Sequence, residues 1–150
     1  MRFSRALLAF LVLPGTVAFL VPLVFIAEGP VADRRGLFLL AVGVAGLLCC
    51  VRDFYVSGKG TLAPWDPPRE LVTVGLYRFS RNPMYLSVLT VIGSWAWLFQ
   101  SAPLLLYAIG TLVVFGVRVV VFEEPWLART HGEQWLAYKA RVPRWSRFLR

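Results

Sequence analysis

Residues 84–122, MYLSVLTVIGSWAWLFQSAPLLLYAIGTLVVFGVRVVVF, decide the fold. They hold two apolar runs, 84–99 and 103–122, separated only by Gln100-Ser101-Ala102-Pro103. A helix crosses the hydrocarbon core of a bilayer in about 20 residues. A connection this short between two such runs predicts an antiparallel helical hairpin. Trp95 and Trp97 suit the headgroup level and extend the shorter first run.

Two further apolar runs lie upstream, at 6–27 and 36–51. Phe54 and Tyr55 extend the second in the same way. Pro14 and Pro22 predict kinks in the first, tolerable in lipid when neighbours satisfy the freed carbonyls. Gly43 and Gly46, with Ala41 and Ala45, give the second run a small-residue face for close packing, within one chain or between two. Arg2 and Arg5 resemble the basic start of a signal peptide. The run behind them exceeds a signal peptide's 7–15 residues and no small-x-small cleavage site follows, so we expect it to be retained.

Composition agrees. Of 150 residues 58% are hydrophobic and 16% charged, and the mean hydropathy is +0.66. Soluble domains average about 45–50% apolar and about 25% charged. The expectation is one integral membrane domain over residues 1–150. It is all-α and polytopic, with about four transmembrane helices and a C-terminal amphipathic interfacial helix. The net charge of +8 sits in short loops and in the tail, which fits anionic lipid headgroups and argues against nucleic acid. Cys49 and Cys50, with a single histidine, cannot build a four-ligand zinc site, so no metal is expected. They read as small apolar packing residues.

Basic residues give the sidedness. Arg2 and Arg5, then Arg52, Lys59, Arg69, Arg78 and Arg81, then the tail arginines and Lys139 all fall on one side. The loop after the first run offsets Arg34 and Arg35 with Glu28 and Asp33, and the loop after the third has no basic residue. Both termini are therefore expected in the cytoplasm, from an inner or plasma membrane. Residues 57–70 are Gly- and Pro-rich and read as a surface loop. In the tail, Leu127, His131, Trp135, Tyr138 and Val142 recur every three to four residues, predicting an amphipathic helix over 125–142 that Pro143 stops.

Two polar clusters then share the cytoplasmic face, 69–85 and 123–144. The first holds Gly75-Leu76-Tyr77-Arg78-Phe79-Ser80-Arg81-Asn82-Pro83-Met84-Tyr85. Polar groups this dense at a membrane boundary are costly unless something polar binds them. Asn82-Pro83 either exposes backbone groups to a ligand or simply starts a helix with proline in its first turn. Tyr77 and Tyr85 serve as interfacial anchors or as walls for an adenine ring or a cation. In the second cluster Glu123 and Glu124 point about 100° apart on a helix, so one can face inward while the other meets solvent. An inward carboxylate suits an ammonium; solvated acids opening the tail helix are the alternative. Arg118 either snorkels to the nearby interface or binds an anionic substrate group. His131 is a packed interfacial residue or a base. No Gly-x-Gly-x-x-Gly, Walker loop or Ser/His/Asp set occurs.

Taken together, Gly75-x-Tyr77-x-x-x-Arg81-Asn82-Pro83-x-Tyr85, the apolar hairpin, Glu123-Glu124, Gly132-Glu133, Tyr138 and Arg141-Val142-Pro143-Arg144 resemble the isoprenylcysteine carboxyl methyltransferase family. The wider group includes membrane phospholipid methyltransferases. The resemblance covers 69–144 and implies S-adenosylmethionine (SAM) as cofactor and a lipophilic methyl acceptor drawn from the bilayer. It implies that Arg81, Asn82, Pro83, Met84 and Tyr85 line the cofactor, with Tyr77 beside them and Leu71 and Val72 giving backbone contacts. Glu123, with Glu124 next to it, would meet the methionine ammonium, and Tyr138 would close the pocket. Arg118, Glu123 and His131 are the candidate catalytic residues. Two departures stand out. Asn82 occupies a position that is usually histidine in the prenylcysteine enzymes, and Arg118 is offset by one residue from their substrate-contacting arginine. Sterol-type reductases share the Arg-His/Asn-Pro-x-Tyr element but bind NADPH, which keeps an intramembrane reductase as an alternative; a non-enzymatic membrane scaffold is the third.

Overall fold

The chain runs from a π-helical segment, Leu11–Leu20, into α1 (Val21–Ile26) and α2 (Gly36–Ser57). A 3-10 turn (Gly75–Arg78), α3 (Pro83–Phe99) and α4 (Ala102–Arg118) follow. A second π-helical segment (Val119–Glu123) then continues into α5 (Glu124–Arg141). This computed structural model describes residues 11–26, 31–58 and 70–146, and no strand occurs among them. The expectations for residues 6–10 and 27, for the loop segment 59–69 and for Arg2, Arg5, Glu28, Arg147 and Arg150 lie outside the described residues.

α3 is the centre of the bundle because both neighbours reach it closely. The buried positions of α2 are Gly36, Gly43, Leu47, Cys50 and Asp53, recurring at intervals of three, four and seven residues. A Cβ on Gly43 would stand 2.8 Å from Val91 Cγ2, and one on Gly36 would stand 2.7 Å from Leu98 Cγ. Only hydrogen fits there, so the backbones of α2 and α3 approach directly. The small face expected from Gly43 and Gly46 with Ala41 and Ala45 is instead made by Gly36, Gly43 and Gly46, whereas Ala41 and Ala45 are exposed. They sit on the opposite stripe of the same helix.

The first segment docks through hydrogen bonds as well as packing. Pro22 has no N–H to give the carbonyl four residues back, Ala18. Trp95 Nε1 donates to that oxygen at 3.0 Å, and Tyr107 OH donates to the Val17 carbonyl at 3.0 Å. The effect of the prolines appears as a change of helix type, π through Leu20 and α from Val21.

The hairpin turn is tighter than a tetrapeptide. Gln100 takes a left-handed conformation at φ 48°, and Ser101 Oγ accepts from Leu104 N, so Ala102 and Pro103 already belong to α4. Among the described residues two helices are long and apolar enough to cross a membrane: Gly36–Ser57, which continues past the expected residue 51, and the continuous helical run from Ala102. Pro14–Phe25 and Pro83–Phe99 are apolar but shorter. α4 turns Leu106, Val113 and Val117 outward, each more than half exposed. A lipid-facing surface explains that pattern.

Candidate functional site

The site begins at a glycine whose replacement is strained on two counts. Gly75 has φ +57°, and a Cβ there would stand 2.0 Å from Asp53 Oδ2. The 3-10 turn that follows drives Tyr77 inward, where it meets Phe54 edge-on at 5.4 Å between ring centroids. Burial pushes the Tyr77 phenol well above its ordinary pKa, so it stays protonated. Tyr138 OH, from α5, donates to the Tyr77 carbonyl at 2.7 Å. Burial raises the Tyr138 pKa likewise.

The Arg81-Asn82-Pro83 step is held by the end of the chain. Arg81 N donates to the Pro143 carbonyl at 2.9 Å. Asn82 Nδ2 donates to the Arg144 carbonyl at 3.0 Å, and Asn82 N donates to Ser80 Oγ at 3.1 Å. Pro83 occupies the first turn of α3. The two backbone amides are thus consumed internally, and of the two readings of Asn-Pro the helix start is the one observed.

Glu124 is the hub of an ion cluster. Its Oε1 accepts from Arg81 Nη1 at 2.6 Å and from Arg144 Nε at 2.8 Å, and its Oε2 accepts from Arg144 Nη2 at 3.0 Å. Lys139 Nζ lies 4.0 Å from Oε2. Burial pushes the Glu124 carboxyl up, but the Arg144 hydrogen bonds and the Arg81, Arg144 and Lys139 charges outweigh it and hold the pKa below the usual value. The Arg81 guanidinium stacks 5.4 Å above the Trp135 ring. Desolvation lowers the Arg81 pKa, while the hydrogen bond to Glu124 raises that of Arg144. Neither acid reads as a solvated residue opening a helix: Glu124 is buried and Glu123 is half-buried.

Glu123 faces the other way. Arg118 Nε donates to Glu123 Oε1 at 2.8 Å and to Tyr85 OH at 3.1 Å, and Tyr85 OH donates to Glu123 Oε1. In an α-helix residues five apart diverge by about 140°. Here the backbone between them is π-helical, with Glu124 N donating to the Val119 carbonyl, and residues five apart come onto one face. Tyr85 also stacks on Phe115 at 4.3 Å.

These elements enclose a cavity of ≈ 530 Å³, well within the range of small-molecule sites. Of the residues expected from sequence, Leu71, Val72, Tyr77, Arg81, Asn82, Met84, Tyr85, Arg118, Glu123, His131 and Tyr138 line it. Pro83 and Glu124 do not; they lie behind the wall, one in the turn and one in the ion cluster. The lining also includes Phe54, Glu70, Val121, Phe122, Trp126, Leu127, Arg129 and Trp135, which the sequence did not single out as site residues. The two tryptophans, nine residues apart on the tail, were the available signal. α5 is interrupted at Gly132, at φ 48° and ψ −120°, so the expected single amphipathic helix is two helical pieces. Its stripe nonetheless packs as the spacing implies, with Trp135, Tyr138 and Val142 buried against Leu71 and Leu127.

The donor set fits a zwitterionic, aromatic-bearing cofactor. A half-buried carboxylate and several aromatic faces share one cavity with Arg81 Nε and His131 Nε2, both buried without a hydrogen-bond partner. Orphaned buried polar atoms beside a cavity are the groups a ligand satisfies.

A family model described as phospholipid methyltransferase matches residues 36–134, spanning α2 through the Gly132 break. No curated protein and no solved structure matches the chain. The matched segment carries the helical hairpin, the Arg81–Tyr85 step and the Glu123-Glu124 pair together. The chain belongs to the phospholipid methyltransferase family, a family of membrane methyltransferases.

Proposed function

We propose that this protein transfers a methyl group from SAM to a lipophilic acceptor that enters from the bilayer, in the manner of an isoprenylcysteine carboxyl methyltransferase. The observation that carries the reading is the pairing of the Glu123 carboxylate with the Tyr85 ring on a cavity whose rim, at Val121 and Phe122, is exposed and apolar. When bound, SAM supplies an electrophilic methyl group on a sulfonium. Glu123, fixed by Arg118 and Tyr85, is placed to receive the ammonium of the methionine end. The aromatic walls accept an adenine and tolerate positive charge on sulfur. Val121 and Phe122 offer the acceptor an apolar path and keep water from it. A carboxylate acceptor needs no proton removed; a thiol or amine would need a base, for which His131, whose Nε2 is buried without a partner on the wall, is the candidate. We place the site on the cytoplasmic side of a four-span bundle, with anionic lipids around it.

Titrating SAM, its demethylated product and NADPH into the detergent-purified protein tests this. Micromolar binding of SAM or product, weakened by both Glu123→Ala and Tyr85→Ala, is the expected result. Labelled-methyl transfer to a farnesylcysteine acceptor should vanish in Glu123→Ala with the fold intact. Binding of NADPH alone would move the assignment to a reductase.

A further inference from the structure

A second, smaller cavity of ≈ 340 Å³ lies behind the first, on the far side of Arg81. Its charged lining is Arg81, Lys139 and Arg144, and its other walls include Val142, Trp145 and Ser146. No acidic side chain is among its lining residues. Among the described residues the carboxylate paired with these cations is Glu124, shared between Arg81 and Arg144. Among the described residues, three cations against one carboxylate leave an excess of positive charge, on one buried arginine and two partly exposed side chains. The Arg81 side chain is only 8% exposed. Lys139 Nζ sits at 4.0 Å from Glu124, beyond hydrogen-bonding distance, on a half-exposed side chain.

We propose that this cavity is a binding site for a phosphate group, distinct from the methyl-transfer cavity. Arg81, Lys139 and Arg144 supply the charge, and a bound dianion or phosphodiester offsets the excess that Glu124 leaves uncompensated. The site sits where Val142–Ser146 meets the first turn of α3, at the boundary between apolar helix and tail. Trp145 is the residue type that lies at that depth. Phosphate at this level comes from an anionic lipid headgroup or from a free phosphate compound, and the chemistry of recognition is the same.

The test measures binding of phosphatidylglycerol, phosphatidylcholine and inorganic phosphate to the full chain in neutral detergent, without cofactor. Native mass spectrometry counts bound lipid and a thermal-shift titration reads phosphate. Selective retention of phosphatidylglycerol identifies a lipid headgroup site; an equal stabilisation by inorganic phosphate identifies a free-phosphate site. Lys139→Gln should weaken the bound ligand about tenfold, the worth of one charge-assisted contact. Arg141→Gln removes the same charge from an exposed position of the same helix outside the lining and should leave binding unchanged. Equal loss in both variants would show diffuse attraction to a basic surface and overturn the site. So would no preference of any kind in the unmodified chain. If Lys139→Gln fails to fold, Arg144→Lys, which keeps the charge and breaks the two-pronged geometry, takes its place with the same expected weakening.

Discussion

Arg118 and Glu123 are five residues apart and yet joined at 2.8 Å, because the helix between them is wound as a π-helix. The π turn thus brings Arg118 onto the face of the helix that carries Glu123. Deleting Val120 should let α4 and α5 join as an uninterrupted α-helix, with the arginine and glutamate four apart and still paired. We expect SAM binding within about tenfold of the unmodified chain. Inserting an alanine after Val120 should abolish it. Loss of binding in both, with helical content preserved by circular dichroism, would show that the π turn matters for more than register.

Glu124→Gln should destabilise the protein by about 2–3 kcal/mol, because two arginines lose the carboxylate that holds them. Urea or thermal unfolding in detergent measures this. The pH dependence has a definite sign. The folded carboxyl lies below its ordinary 4.5, so its contribution is complete above that value and is lost as pH falls towards the lowered folded pKa. Stability should hold from pH 7 to about 5 and then decline, and the decline should be shallower in Glu124→Gln.

Gly75→Ala combines a left-handed backbone with a collision at Asp53. The backbone part costs about 1 kcal/mol, and the collision adds to it. Asp53→Ala in the same chain should recover the second part only. A melting temperature for Gly75→Ala equal to that of the unmodified chain would rule out this packing.

Tyr138→Phe removes the donor to the buried Tyr77 carbonyl at 2.7 Å. The expected cost is about 1–2 kcal/mol. It should show as faster proteolysis of the tail after Val142, while α2 and α3 remain protected.

Much of this architecture was legible because it rests on periodicity. The 84–122 runs gave the hairpin, and the stripe through Trp135, Tyr138 and Val142 gave the buried face of the tail. Gly43 and Gly46 marked the close approach to α3, but Gly36 was missed because it stands at the helix start, where glycine reads as punctuation. The break at Gly132 was missed for the opposite reason, since an apolar stripe on both sides masked it. Helix geometry separates the roles of Glu123 and Glu124 but does not assign them; only the family resemblance pointed to Glu123 for the ammonium. A sequence says that adjacent helical residues diverge; it does not say which one meets Arg81 and Arg144, residues 43 positions before and 20 after. The π winding at 119–123 has no compositional signal at all, because Val-Val-Val-Phe is equally at home in either helix.

The clasp between the tail and the start of α3 also sets an order of biosynthesis. Asn82 waits for a carbonyl 62 residues further on, and Arg81 waits 43 residues for its carboxylate. Until the ribosome has passed Arg144, the membrane-boundary turn exists as an unclasped segment with a bare positive charge. The helical hairpin can enter the bilayer before that moment, but the cavity wall cannot be complete, so insertion of the hairpin can precede closure of the clasp.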